Sequence, residues 1–187
     1  PSLALGISDV SVHEMVGAYS TFANEGHHID PITILKIEDR FGNVLQEFHP
    51  KSNQEISADM AYNMLYLMRG AVEGGTSSSL ARFGVTEGNE IAAKTGTTQN
   101  HSDGWFMGIT QNLVTGVWVG GEDRSIHFRT IALGQGARMA LPAWGLYMQK
   151  VYSDSDLSDF GKAPFKKPEN YVLDCGAVHI DSADTYV

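Results

Sequence analysis

Cysteine is nearly missing from this chain: among 187 residues only Cys175 carries a thiol, which excludes an internal disulfide and leaves the redox compartment open. Basic residues are also few, with 13 Lys and Arg against 22 Asp and Glu, a net charge of −9. Nucleic acid and anionic membrane surfaces both call for a basic face, so neither is expected as a general partner, although a local basic site is compatible with the total. No apolar run reaches the roughly 20 residues of a membrane span, and no signal peptide opens the chain. Two catalytic motifs are missing as well. No serine is followed three positions later by lysine, and Ser-x-Asn occurs nowhere, so the chain offers no serine nucleophile with an adjacent lysine base. His13-Glu14 begins like a zinc-binding helix, but residue 17 is glycine where the second histidine is needed. His27-His28 has no third ligand at a recognisable spacing and reads as loop. No metal and no cofactor is expected.

What remains is 42% hydrophobic and 19% charged, enough for one ordinary core or a core with a tail. Ser11-Val-His-Glu14 has the spacing of a capping box, and Val12, Met15, Val16, Tyr19, Phe22 and Ala23 follow at helical period up to Gly26. Two β-rich runs, 32–39 and 44–48, flank a Gly-Asn turn and predict a hairpin. Ser57 is the N-cap of a second helix, whose apolar stripe is read as Met60, Met64, Leu67, Met68 and Ala71 packed on the core. That helix stops at Gly74-Gly75, and a polar loop leads through residue 88. Strands are predicted at 90–98, 104–111 and 113–120, consecutive neighbours in an antiparallel sheet. A polar loop from Glu122 to Gly136 gives way to a helix over 142–152, with Pro142 in its first turn. The fold class is α/β of the α+β type, an antiparallel sheet with packed helices. Residues 153–187 read as a loosely packed tail or linker.

The strand Glu90-Ile-Ala-Ala-Lys-Thr-Gly-Thr-Thr98 holds the densest chemistry. Gly96 has no side chain to keep an extended peptide off the strand edge. Lys94 supplies a point charge, and Thr95 and Thr97 supply hydroxyl donors, a set that suits a carboxylate. The Thr97 N–H can face a developing oxyanion. By itself, the tetrapeptide reads first as a surface strand with one solvated lysine and two ordinary β-forming threonines.

Context favours the carboxylate-binding reading. Ala93-Lys-Thr-Gly-Thr-Thr98, Asp103-Gly-Trp-Phe-Met-Gly108 and Gly116-Val-Trp-Val-Gly120 resemble the C-terminal part of the transpeptidase domain of class A, bifunctional penicillin-binding proteins. Pro1–Gly6, Ala18–Asn24, Val72-Glu-Gly-Gly-Thr76 and Ala140-Leu-Pro-Ala-Trp144 agree, so the resemblance runs over residues 1–152. It implies a partial β-lactamase/transpeptidase-like fold and a parent enzyme that cross-links peptidoglycan stem peptides by serine acyl transfer and binds β-lactams. It further implies a glycosyltransferase domain upstream, an N-terminal membrane anchor and a site on the periplasmic face of the membrane. Lys94 carries over as the catalytic cation, and Thr95, Gly96, Thr97 and Thr98 as the substrate-binding residues. The nucleophile and its base are expected upstream of Pro1, which makes this a domain cut in the middle and prone to self-association. No role is assigned to His127, Arg129 or Arg138. A noncatalytic peptide- or carboxylate-binding module on the same strand is the alternative, and a β-lactamase the weaker third reading, since no deacylating base is identified.

Overall fold

The computed structural model describes residue 6, residues 8–169 and residues 171–172; Cys175 and the last part of the expected tail lie outside the described residues. In chain order the first elements are α1 (Val12–Ala23), β1 (His27–Ile29), β2 (Lys36–Glu38), β3 (Val44–Glu47), β4 (Ser52–Gln54) and α2 (Ala58–Glu73). Then come β5 (Ala92–Thr97), β6 (Asp103–Ile109), β7 (Val114–Gly120), α3 (Ile131–Gly134) and α4 (Gly136–Ser153).

Strand alternation explains the layering. Ala92 and Ala93 point to opposite faces of the β5-β6-β7 sheet, yet both are buried, so the sheet must be covered twice. On one face Ala93 and Phe106 pack with Leu141, Trp144 and Met148 of α4, and the Phe106 and Trp144 rings lie 5.3 Å apart between centroids. The Trp144 indole N–H donates to the Thr115 hydroxyl. On the other face Ala92 and Ile109 pack with Leu65 and Met68 of α2, and Tyr19 and Phe22 of α1 lean on the same cluster. Fully burying one such large apolar side chain contributes about 1.5–3 kcal/mol. The three predicted strands are therefore present as consecutive antiparallel neighbours, in the register Lys94↔Met107 and Phe106↔Val117.

The capping box closes α1 in both directions: Glu14 N–H donates to Ser11 Oγ at 3.2 Å, and Ser11 N–H donates to the Glu14 carboxylate at 2.7 Å. The Ser11 backbone bond, followed by its hydroxyl, holds the Glu14 carboxyl below its ordinary range. The predicted hairpin forms as β2 and β3, with Asp39 accepting from the N–H groups of Phe41 and Asn43 across the turn. Its apolar side chains Leu35, Phe41 and Leu45 are exposed.

Five expectations need correction. His27-His28 belongs to β1 rather than a loop, because β4, which the polar sequence Ser52-Asn-Gln54 does not announce, pairs with it. The core-facing stripe of α2 is Ala61, Leu65 and Met68, while Met60 and Leu67 are 62% and 70% exposed. Two stripes of the same helical period run down this helix, and periodicity alone cannot choose between them. Helix α4 begins at Gly136, so Pro142 sits inside it rather than in its first turn; fully buried Ala140 and Leu141 extend the packed face N-terminal of the proline. The expected polar loop after α2 contains a 3-10 turn, Ser78–Phe83, that drives Leu80 into the α4-side core. Finally, the segment after α4 is not loosely packed where it is described. Phe165 is buried against α2 and the sheet, its N–H donates to Glu90 at 2.8 Å, and the Lys162 ammonium donates to the carbonyls of Gly84 and Glu87 at 2.8 and 3.0 Å.

Two glycine substitutions separate packing from propensity. A Cβ on Gly108 runs into the Trp144 indole, whereas one on Gly70, in the interior of α2, meets nothing within 4 Å. Gly108→Ala is expected to destabilise the chain by roughly 1–3 kcal/mol through overpacking. Gly70→Ala is expected to stabilise it by about 0.5–1 kcal/mol through helix propensity. Urea denaturation followed by far-UV circular dichroism measures both, and equal shifts of the same sign contradict the packing described.

Candidate functional site on the open edge of a strand

Beyond its buried start, β5 emerges from between the helix layers, and Lys94 and Thr97 are exposed. The Thr98 N–H donates to the Asp103 carbonyl at 3.3 Å, toward β6. Alternation then turns the N–H and C=O groups of Thr97 and Thr95 to the opposite side. There the sheet order β5-β6-β7 places no strand among the described residues. The result is a row of backbone groups with no strand partner among the described residues, of the kind that accepts an extended peptide.

Groups from three parts of the chain gather along this edge. Lys94 and Thr95 lie on opposite faces of the strand, but the lysine curls back, and its ammonium donates to the edge-facing carbonyl of Thr95 at 2.6 Å. Thr95 donates through its hydroxyl to the hydroxyl of Thr76 at 3.2 Å. The first N–H of α4, from Gly136, donates to the Thr97 hydroxyl at 3.0 Å. Since Gln135 gives α4 no side-chain cap, Thr97 satisfies a helix-end donor from a neighbouring strand. Gly136 has to be small: a Cβ there lands on the Gly96 and Trp105 carbonyl oxygens. The same test shows that Gly96 does more than clear space for a ligand, because a Cβ at Gly96 comes within 3.1 Å of the cross-strand Trp105 Cβ.

Thr98 stands apart from this group. Its hydroxyl pairs with Ser102 at 3.0 Å and accepts the Asp103 N–H at 3.1 Å, closing the turn in which Asn100 and His101 take left-handed φ values of 62° and 58°. The remaining predicted residues Lys94, Thr95, Gly96 and Thr97 share the edge. Thr76 and Gly136 were not legible as site residues, although Val72–Thr76 and Gly134-Gln-Gly136 were conspicuous as segments; only the folded chain brings them to β5. Elsewhere, His127 and Phe128 line a cavity of about 320 Å³ with Ser102, Ile126 and Met139, and neither this cavity nor the one beside Arg69 and Glu90 includes Lys94. Among the described residues no three His, Cys, Asp or Glu side chains converge as a metal site, and no helix is long and apolar enough to cross a membrane.

The arrangement can hold an anion. An ammonium and hydroxyl donors beside an open strand edge bind a peptide carboxylate while the backbone pairs with the rest of the peptide. Among the described residues nothing accepts from the Thr97 N–H, which can face an oxyanion. Of the serines near this edge, Ser77 is fully buried and Ser102 nearly so.

Comparison with known proteins gives this geometry its relatives. Residues 2–121 match the model of the penicillin binding protein transpeptidase domain. The chain is 35% identical over 186 residues to penicillin-binding protein 1A of Aquifex aeolicus, covering 98% of this chain and 24% of the relative. Against the protein of the same name in Neisseria meningitidis it is 35% identical over 184 residues, covering 96% and 22%. The chain thus spans about a quarter of the length of these relatives. Among solved structures, penicillin-binding protein 1A from Haemophilus influenzae superimposes with a TM-score of 0.74 at 27% identity, over 89% of this chain and 29% of the other. PonA1 from Mycobacterium tuberculosis, solved in complex with penicillin V, gives 0.68 at 27% identity, over 89% and 43%. With more than half its length matched by the family model and the same layered fold as these structures, the chain belongs to the penicillin-binding protein transpeptidase family.

Proposed function

We propose that this chain is the C-terminal part of a peptidoglycan DD-transpeptidase, and that its β5 edge holds the D-Ala-D-Ala end of a stem peptide during acyl transfer. The observation that carries the reading is the convergence of the Lys94 ammonium and the Thr95 and Thr97 hydroxyls on one unpaired strand edge. In this reading Thr95 and Thr97 frame the site of the terminal carboxylate, and Lys94 holds positive potential beside it. Gly96 keeps the strand flat against Trp105, and the Thr97 N–H is half of an oxyanion hole. The Ser-x-x-Lys nucleophile and base, the second serine and the other oxyanion donor come from a segment of the longer protein, since this sequence contains neither motif. The serine attacks the D-Ala-D-Ala carbonyl, D-alanine leaves, and the acyl group passes to an amine of another strand. β-Lactams enter the same site with a carboxylate of the same kind. The longer protein is placed on the outer face of the cell membrane by an anchor outside this chain. Exposed Leu35, Phe41, Leu45 and Leu67 favour self-association of the isolated chain.

The alternative, a noncatalytic carboxylate-binding module, shares the edge and differs only in lacking a nucleophile altogether. Two measurements separate them. The 187-residue chain incubated with penicillin is expected to keep its intact mass; a stoichiometric adduct on one of its serines would show that the nucleophile lies here. The full-length protein is expected to be acylated. In that protein Lys94→Ala should slow acylation by orders of magnitude, as an electrostatic contact strengthened in the transition state contributes roughly 3–4 kcal/mol. Unchanged acylation in the variant removes Lys94 from the mechanism, and no acylation of the unaltered full-length protein leaves the binding-module reading.

A further inference from the structure

We infer that Thr76 is a further substrate-binding residue of the carboxylate site, presenting its own O–H to the anion while fixing the hydroxyl of Thr95. This rests on the reading of the β5 edge as a carboxylate site. The chain path explains why Thr76 is there. Helix α2 packs on the Ala92 face of the sheet, whereas Leu80, seven positions after Glu73, packs on the Ala93 face. The connection must pass around an edge of the sheet, and the Thr76–Thr95 hydrogen bond of 3.2 Å places the crossing at the open edge of β5.

The crossing is pinned on both sides of Thr76. A Cβ on Gly75 would lie 2.8 Å from the Ala71 Cα, so the loop approaches its own helix as closely as glycine allows. Ser77 N–H donates to the Ala71 carbonyl at 2.8 Å, and the Ser77 side chain is fully buried. Thr76 itself is exposed. A loop fixed at both neighbours, with one hydroxyl left at the edge, holds that hydroxyl in a defined place.

Counting protons gives it a task. The Thr76 and Thr95 hydroxyls share one proton between them, which leaves one O–H to point outward. With Thr95 as donor, the outward O–H belongs to Thr76. Thr97 accepts the Gly136 N–H, so its own O–H is also free to point outward. Two outward hydroxyl donors match the two oxygens of a carboxylate, and the O–H chain from Thr95 through Thr76 is polarised by the anion it ends on. A neutral ester gains little from such a chain, because hydrogen bonds to ionised acceptors are the strong ones.

The test is the ratio of acylation rates, measured on the full-length protein, for a penicillin and for its methyl ester. Unaltered protein is expected to prefer the acid. Thr76→Val is expected to lower that preference about tenfold or more while changing the ester rate little, in keeping with one hydrogen bond to a charged group. Thr76→Ser is expected to restore it. A ratio taken on one preparation is independent of the fraction folded, so a partly unfolded variant still gives an answer, and Thr76→Ala serves where Thr76→Val cannot be purified. Full acid preference in Thr76→Val overturns the role of Thr76 and leaves the carboxylate site standing. No acid preference in the unaltered protein overturns the carboxylate site itself, and the role of Thr76 falls with it.

Discussion

Everything at this site depends on one strand being buried on both faces and bare along one edge. The N-terminal half of β5 is clamped between α2 and α4 through Ala92 and Ala93, which fixes its direction and register. Its C-terminal half then runs out of the core in that fixed line, and the groups at Thr95 and Thr97 point where no strand answers them. Small residues make this possible. Larger side chains at 92 and 93 would separate the helix layers, and any side chain at 136 would push the end of α4 off the strand it donates to. The edge is thus a rigid template rather than a mobile loop, held by packed elements on both sides.

Much of this was visible in the sequence, for reasons that differ between elements. The three strands announced themselves because β-branched and aromatic residues cluster in them and polar turns bound them, and Ser11 and Glu14 fixed the start of α1 through local hydrogen bonds alone. The grouping of an ammonium with two hydroxyls at Lys94, Thr95 and Thr97 could be proposed from sequence because it rests on residue types in one short strand. What failed was whatever depended on a distant partner. The polar strand at Ser52–Gln54 exists only because β1 lies beside it, and the buried stripe of α2 was chosen by the sheet rather than by the helix. Thr98 looked equivalent to Thr97 in sequence, but a tight turn claims its hydroxyl. Thr76 lies 19 positions from Thr95 and Gly136 39 positions from Thr97, and only the chain crossing and the end of α4 connect these pairs.

The acidic balance of the chain and its cationic site are compatible because they act at different ranges. A net charge of −9 spreads over exposed surface, where salt screens it within about 10 Å at 0.1 M ionic strength. Lys94 acts at hydrogen-bond distance, next to hydroxyls already oriented by their neighbours. Overall charge therefore bears on encounters with large charged surfaces, and says little about the small anion that one lysine can hold.

The clasp made by Lys162 and Phe165 bears on the order in which the protein is built. Asn89 and Glu90, at the threshold of β5, are bonded by Ala163 and Phe165, residues that leave the ribosome some 75 positions later. A nascent chain that already contains the whole three-stranded sheet still lacks the ring that covers Ala92 and Ile109 on the α2 side. Pairings of such large sequence separation form late, and apolar surface left waiting for them is exposed to wrong partners in the meantime. Strand β5 is therefore among the last parts of this fold to become secure during synthesis, and a chain that ends short of Phe165 carries Lys94, Thr95 and Thr97 on a strand whose root is unfastened.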